Sequence, residues 1–188
     1  KKFGVIPDLS TFGKGIANGM PLSAIVGKKK IMKLMNDIFF SGTFGGEALS
    51  ISAAIATLKK LKKYNAPKVF SMLGKKYTKE LNRLINVHGL NEIIKVKGVE
   101  WKPLLKIYST DQLSEVDIIS LFRQELIESG IILGSGFNFC LAHENDVIIK
   151  KTLSCLDKSL YKLSSYLKLE DPLSKLRGEK IKPVFQVR

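Results

Sequence analysis

Residues 7–24 read PDLSTFGKGIANGMPLSA, and within them Lys14 lies between two glycines in a largely apolar stretch. Glycine tolerates unusual dihedral angles and presents no side chain, so the segment predicts a backbone that approaches a ligand closely. The Lys14 amine is expected to lie buried beside a tight turn, where desolvation disfavours the ammonium form and makes the neutral amine available. Such an amine forms a Schiff base with a carbonyl substrate or an aldehyde cofactor. By spacing alone, an ordinary lysine on a turn is the simpler interpretation.

A second glycine-rich segment, residues 41–50 (SGTFGGEALS), leads into a predicted helix over residues 47–63. A turn of this kind supplies backbone N–H donors and the positive end of a helix dipole, which suit an anion such as phosphate. A flexible loop followed by a helix cap explains the same residues equally well.

Beyond residue 63 the pattern alternates between helices and strands. Pro67 is expected to open a helix that His88 and Gly89 close, and a capping box at Ser114–Asp117 opens another that stops near Gly130. Asn145 is expected to cap a third helix that carries regularly spaced leucines. The predicted strands are residues 93–97, 104–108, 131–133, 137–141 and, in the tail, 184–187. This alternation favours an α/β lobe, whereas the segment before it has too few strands to complete a sheet and is interpreted as the end of a larger domain.

Composition excludes several classes of protein. The 188 residues suffice for one domain or two small lobes, and 45% apolar with 26% charged residues is typical of a soluble globular protein. No apolar run approaches the ~20 residues that a membrane helix needs, and residues 1–8 lack the apolar core of a signal peptide. Two cysteines, Cys140 and Cys155, are too few for a disulfide framework or a zinc site. Both are expected to be small buried apolar residues, in a reducing, cytoplasmic compartment.

The net charge of +14 raises the question of nucleic-acid binding. Lysines far outnumber arginines and are spread along the whole chain, and the densest clusters, residues 28–30 and 59–63, lack interleaved aromatic residues for base stacking. A solvated lysine-rich surface is therefore the preferred interpretation, and no nucleic-acid partner is expected.

Three segments in order resemble the class III pyridoxal-phosphate-dependent aminotransferases, the family that includes glutamate-1-semialdehyde aminomutase. They are residues 7–24, residues 41–50, and residues 130–153 with their Ala-His pair at 142–143. The resemblance implies that Lys14 forms the Schiff base with pyridoxal 5'-phosphate. It also implies that Gly42 and Thr43 bind the cofactor phosphate, commonly that of the neighbouring subunit. His143 is expected to order a loop or cap the last helix rather than to act as a catalyst, and His88 to be a helix-end residue.

The resemblance implies an α/β fold, namely the C-terminal part of a fold-type I pyridoxal-phosphate-dependent transferase. Residues 1–63 would be the end of the large cofactor-binding domain, residues 64–169 the small α/β domain, and residues 170–188 a basic tail. Family enzymes also place an aspartate against the pyridine nitrogen, upstream of the lysine. Asp8 is too close to Lys14, on the same incoming strand, to be that aspartate.

The implied reaction is amino transfer between a small-molecule amino donor and a carbonyl substrate, by a homodimer with shared active sites. Two alternatives stay open. One is a glutamate-1-semialdehyde 2,1-aminomutase, although residues 137–141 lack the acidic residue that these enzymes tend to carry there. The other is a non-catalytic fragment without the upstream half of the active site. Residues 47–50 and 183–185 are similar to family members that act on sugars, but the substrate itself is not readable.

Overall fold

The computed structural model describes residues 3–40 and 42–182, and the chain divides after Asn65 into two compact units. The first unit consists of a two-stranded antiparallel hairpin, short helical turns and one long helix. Its elements in chain order are β1 (Leu9–Phe12), a 3₁₀ helix (Lys14–Ala17), β2 (Ala24–Gly27), α1 (Lys29–Met32), a second 3₁₀ helix (Lys33–Asn36) and α2 (Ala48–Lys63).

The first unit has almost no interior of its own. Among its described residues, the buried ones are Ala17, Ser50 and Ala54, all of them small. Helix α2 confirms the helix predicted over residues 47–63, but most of its large apolar side chains are exposed. The exposed large apolar residues of the unit include Phe3, Ile6, Leu34, Phe39, Phe40, Phe44, Leu49, Ile55 and Leu58. Such an extent of apolar surface is typical of a face that other protein covers.

The second unit begins at Ala66 and carries three long helices and a second hairpin. Its elements are α3 (Ala66–Val87), β3 (Ile94–Val99), β4 (Lys102–Ile107), α4 (Glu115–Glu128), a 3₁₀ helix (Leu141–His143), α5 (Asp146–Tyr166) and a last 3₁₀ helix (Pro172–Lys175). None of the helices within residues 3–40 and 42–182 combines the length and apolar composition that crossing a bilayer requires.

Helix ends in the second unit follow from local side-chain chemistry. The Ser114 hydroxyl accepts from the Asp117 N–H at 3.3 Å and the Asp117 carboxylate accepts from the Ser114 N–H at 3.1 Å, which confirms the predicted capping box. Asn145 accepts from the N–H of Val147 at 2.9 Å and caps α5 as predicted. Gly89 and Gly130, both with positive φ, terminate α3 and α4.

One apolar core holds the second unit together. Helix α5 packs against α3 and α4, and the β3–β4 hairpin packs against α3. The fully buried members of this core include Leu81, Ile118, Leu121, Leu156, Leu160 and Leu163. Helices combined with strands confirm the α/β class, although each sheet has two antiparallel strands.

Two of the predicted strands do not form. Residues 131–133 and 137–141 lie in an irregular segment that touches β4 through a single bridge between Leu104 and Gly136. At Gly136 an added Cβ would lie 2.2 Å from the Pro103 carbonyl oxygen, so the backbones meet there more closely than regular pairing of residues with side chains allows. The segment therefore contacts β4 closely at Gly136 but does not continue into a regular hydrogen-bonded strand pair.

The cysteine prediction is wrong for Cys140, which is exposed, and Cys155 is half-buried with its thiol donating to the Ser129 carbonyl at 3.2 Å. Cys140 is exposed because the segment that precedes the 3₁₀ helix Leu141–His143 is irregular rather than a core strand. The described part of the predicted basic tail lies along α4, where the Ile181 N–H donates to the Ser120 hydroxyl at 3.0 Å. The strand predicted at 184–187 lies outside the described residues.

Candidate active site

Lys14 occupies the turn that follows β1, with its backbone in the left-handed region at φ +51°. A residue with a β-carbon adopts this conformation at a cost of about 1–3 kcal/mol, which glycine avoids. Gly13 and Gly15 flank it, and the N–H of Ile16 donates to the Gly13 carbonyl at 3.2 Å, which closes the turn. The Lys14 side chain is exposed and forms no ion pair with any described residue. The turn therefore presents a Lys14 side chain, unpaired among the described residues, from a backbone conformation that glycine would adopt at lower cost.

The turn is fixed against α2. The 3₁₀ helix that begins at Lys14 packs on α2, and Ala17 at its end is completely buried. Asn18 and Gly19 follow with φ of +48° and +105°, which direct the chain into β2. Small residues at the contact allow the two backbones to approach closely, so the position of the Lys14 backbone is defined by α2.

Asp8 lies at the opposite end of the β1–β2 hairpin from Lys14. Its carboxylate pairs with the Lys28 ammonium, and its carbonyl accepts from the Lys28 N–H at 2.9 Å. The whole of β1 separates the two residues, and the Asp8 carboxylate is already paired with Lys28.

The second predicted segment forms a turn over residues 42–46 that leads into α2. The Gly45 N–H donates to the Gly42 carbonyl at 2.9 Å, while Thr43 is exposed. Among the described residues, the N–H groups of Thr43, Phe44 and Gly46 have no acceptor. These donors and the Thr43 hydroxyl are therefore available to an anion. Ser41, the first residue of the predicted segment, lies outside the described residues.

The start of α2 differs from the prediction, because its own N–H groups are already occupied. The Glu47 carboxylate accepts from the N–H of Leu49 at 2.6 Å and from the N–H of Ser50 at 2.7 Å. Hydrogen bonds from the Ser50 side chain, the Ser50 N–H and the Leu49 N–H lower the pKa of Glu47 below 4.5. The sequence analysis did not identify Glu47 as the cap of α2. The signal in the sequence was an acidic residue immediately before the first helical residue.

A groove of about 490 Å³ lies beside this turn. Its lining residues are Pro21, Leu22, Ser23, Ile25, Phe40, Gly42, Phe44 and Gly45. The described residues that line the groove do not include Lys14 or Thr43. The structure therefore places Lys14 and the Gly42 turn on the same unit, both next to α2, but does not bring them together in one cavity.

Both histidines have structural contacts. The His143 Nδ1 accepts from the Cys140 N–H at 3.1 Å, so this ring orders the loop before α5, as predicted. His88 follows the last residue of α3, and its Nε2 lies 2.6 Å from the Asp157 carboxylate. The Ser164 hydroxyl donates to the His88 carbonyl at 2.8 Å. These contacts agree with a helix-end role for His88.

Comparison with known proteins gives a consistent family assignment. The sequence profile of the family described as "Aminotransferase class-III" matches residues 1–153. The 3-aminobutyryl-CoA aminotransferase of Cloacimonas acidaminovorans is 35% identical over 126 residues, which are 66% of this chain and 29% of that protein. The glutamate-1-semialdehyde 2,1-aminomutase of Methanocaldococcus jannaschii is 29% identical over 170 residues, which are 82% of this chain and 39% of that protein.

Solved structures give the same fold. The pyridoxal-phosphate internal aldimine form of the Sphingopyxis sp. MTA144 FumI protein superimposes with a TM-score of 0.76 at 25% identity, over 93% of this chain and 41% of that one. A transaminase with bound pyridoxal phosphate superimposes with a TM-score of 0.75 at 23% identity, over 86% of this chain and 40% of that one. The fold-type I expectation is thereby confirmed. The chain spans less than half the length of each of these proteins.

Proposed function

This chain belongs to the aminotransferase class-III family, and we propose that its residues form part of a pyridoxal-phosphate-dependent aminotransferase. Such an enzyme moves an amino group from a small-molecule amino donor to a carbonyl substrate. The activity is proposed for the protein as a whole, because the chain spans 29% to 41% of the length of the relatives compared above.

The backbone of Lys14 is the observation that carries this proposal. A lysine with φ +51° between two glycines holds a conformation that glycine would adopt at lower cost. Strain of this kind persists where the surrounding structure holds it, and it clusters at active sites and ligand contacts. No described residue forms an ion pair with the Lys14 side chain, so its nitrogen is open to the covalent bond that an aldehyde cofactor forms with a lysine.

The donors present fit the cofactor that the family implies. Pyridoxal phosphate, when bound, takes up the negative charge left on the substrate carbon. Lys14 would hold it covalently through Nζ, and the same nitrogen would carry a proton to and from the substrate carbon once released. The Thr43 hydroxyl and the unpaired N–H groups of the Gly42–Gly46 turn would bind its phosphate.

We assign residues 1–63 to the end of a large cofactor-binding domain, residues 64–169 to a small α/β domain and residues 170–188 to a basic tail. The exposed apolar side chains of the first unit support the first assignment, because a domain end needs further protein to cover it.

We also propose a homodimer with shared active sites, in which Gly42 and Thr43 of one copy serve Lys14 of the other. The groove beside Gly42 supports this arrangement, since Lys14 is not among its described lining residues. A cytoplasmic location and the lack of a nucleic-acid partner stay predictions from composition.

A glutamate-1-semialdehyde aminomutase, which returns the amino group to the same molecule, is the second candidate. The similarity to the Methanocaldococcus jannaschii aminomutase supports it. The lack of an acidic residue in 137–141 favours a two-substrate aminotransferase instead. A non-catalytic role for these 188 residues is the third candidate.

Reductive trapping tests the role of Lys14. The chain is incubated with pyridoxal phosphate and reduced with borohydride, and the adduct is located by peptide mass spectrometry. We expect the major adduct on Lys14, and its loss in Lys14→Arg, which keeps the charge. In Lys60→Arg, which alters an exposed lysine of α2, the Lys14 adduct should be unchanged. An adduct spread evenly over the lysines, and unaffected by Lys14→Arg, would support the non-catalytic role.

A further inference from the structure

Glu47 precedes the first residue of α2 and folds its carboxylate back onto the helix start. Oε1 accepts from the Leu49 N–H at 2.6 Å, and Oε2 accepts from the Ser50 N–H at 2.7 Å and from the Ser50 hydroxyl at 2.6 Å. The N–H of Glu47 itself donates to the Phe44 carbonyl at 3.4 Å. A helix leaves its first four N–H groups without partners inside the helix. The chain itself therefore satisfies three of the four at this end.

A carboxylate in this position changes what the helix start can bind. The N–H groups and the dipole at a free helix start attract anions. Here the Glu47 carboxylate already lies at the helix start, and its negative charge would repel a phosphate that approached these N–H groups. The Glu47 carboxylate is ionised at neutral pH, as an ordinary glutamate is. The hydrogen bonds from Ser50 and Leu49 favour this charged form further and lower its pKa.

The turn immediately before Glu47 has the opposite character. Thr43, Phe44 and Gly46 direct no N–H group to any acceptor among the described residues, and Thr43 adds an exposed hydroxyl. The two neighbouring sets of N–H donors thus differ: three in the turn have no acceptor among the described residues, whereas three of the four at the helix start are bonded.

Resting on the function proposed above, we propose that Glu47 is a positioning residue that keeps the cofactor phosphate off the N-terminus of α2, so that the Gly42–Gly46 turn alone receives it. The Ser50 hydroxyl and N–H that hold the Glu47 carboxylate belong to a completely buried residue of α2. Helix α2 also supports the 3₁₀ helix that begins at Lys14. Glu47 thereby fixes the phosphate turn to the helix that positions the lysine.

The test uses inorganic phosphate as the probe and the ¹⁵N-labelled 188-residue chain at pH 7. In the wild-type chain, phosphate should shift the amide signals of the Gly42–Gly46 turn and leave those of Leu49 and Ser50 unchanged. In Glu47→Ala the Leu49 and Ser50 signals should respond to phosphate, with at least tenfold tighter binding there. Glu47→Gln should respond less strongly, because its carboxamide oxygen still accepts one hydrogen bond while the charge is gone.

Glu92→Ala is the matched control, since it removes one exposed carboxylate of the second unit and should behave as the wild-type chain. The amide signals of Ile51–Lys63 report whether α2 is intact in each variant. If Glu47 were only a helix cap, its removal would weaken those signals without any response of Leu49 and Ser50 to phosphate.

The outcomes separate this proposal from the proposed function. Phosphate shifts at Leu49 and Ser50 in the wild-type chain, or none there in Glu47→Ala and Glu47→Gln, would overturn the role of Glu47. A silent Gly42–Gly46 turn in the wild-type chain would contradict the proposed phosphate contact. If Leu49 and Ser50 then respond in the variants alone, the role of Glu47 is still supported.

Discussion

Replacing Glu125 by glutamine should destabilise the second unit, because this carboxylate is the buried centre of a polar cluster. Its side chain is 0% exposed. Oε2 accepts from the Lys162 ammonium at 2.6 Å, and Oε1 accepts from Arg177 at 2.7 Å and from the Tyr166 hydroxyl at 3.0 Å. Arg177 belongs to the tail, so the cluster ties the tail to α4 and α5.

The expected loss follows from what glutamine would offer these partners. Its NH₂ group would face donors where an oxygen now accepts, and the cations would lose the buried charge that attracts them. Breaking a buried ion pair costs about 3–5 kcal/mol. Lys162 and Arg177 are about half exposed and can turn to water, which reduces the cost. We therefore expect Glu125→Gln to lower the free energy of unfolding by about 2–3 kcal/mol.

Urea unfolding at pH 7, followed by the fluorescence of Trp101, is the appropriate assay, because Trp101 is the single tryptophan of the chain and lies in the second unit. Glu128→Gln is the matched control. It makes the same chemical change on the same helix at a side chain that is 42% exposed, and should cost less than about 1 kcal/mol. If Glu125→Gln cost no more than Glu128→Gln, Glu125 would not be a buried acceptor and the reasoning would be wrong.

The same cluster predicts a pH dependence. Burial alone would raise the pKa of Glu125, but hydrogen bonds from Lys162, Gln124 and Tyr166 outweigh it and lower the pKa below 4.5. A carboxyl group whose pKa is lower in the folded chain stabilises it above its unfolded pKa and loses that contribution as the pH falls through the folded value. The wild-type chain should therefore lose stability below about pH 4.5 more steeply than Glu125→Gln.

Three further substitutions test the packing and caps of the second unit by urea unfolding. Gly74→Ala should cost about 2–3 kcal/mol despite better helix propensity, because the added Cβ would lie 1.4 Å from the Glu100 carbonyl oxygen. Gly134→Ala, which meets no atom within 4 Å, should change stability by less than 1 kcal/mol, and an equal effect at both glycines would refute the contact. Ser114→Ala and Asn145→Ala should each cost about 1 kcal/mol, and no loss in either would contradict the observed caps.

The helices of this chain could be predicted from sequence because their signals are local. Helix α4 begins at a serine with an acid three residues later and ends before a glycine, so cap chemistry defines both ends. Helix α3 begins at Ala66, one residue before the proline that was expected to open it. The β3–β4 hairpin was also predicted within two residues at each end.

The strands expected at 131–133 and 137–141 do not form, because strand formation depends on a partner strand as well as on the local sequence. Residues 131–133 are a continuous apolar run, and Phe137 and Phe139 flank the polar Asn138 as in a strand. Phe137 and Phe139 do pack on Tyr77, with ring centroids 5.1 and 5.5 Å away. Whether such a segment joins a sheet depends on its neighbour, and at Gly136 the neighbour approaches too closely for a regular ladder. The periodicity of apolar residues indicates which side chains face the core, but it does not indicate which neighbouring backbone or side chains they contact.

In the first unit, sequence predicted helix α2 and the glycine-rich turns but not the surroundings of the candidate site. The glycines beside Lys14 and before α2 indicated turns, and turns are present. The left-handed conformation of Lys14 and the capping by Glu47 depend on how each turn closes onto α2, which spacing alone does not define. The expectation that Lys14 is desolvated is not met within the described residues, where its side chain is exposed.

The two units differ in what stabilises them, and this difference bears on the proposed activity. The second unit encloses an apolar core of large side chains from three helices and a hairpin. The first unit carries Lys14 and the Gly42–Gly46 turn, yet its described buried residues are only Ala17, Ser50 and Ala54. A reactive amine needs a shaped and water-poor pocket for catalysis. Since the first unit exposes both its apolar faces and this amine, the proposed activity requires further protein that covers those faces and completes the pocket.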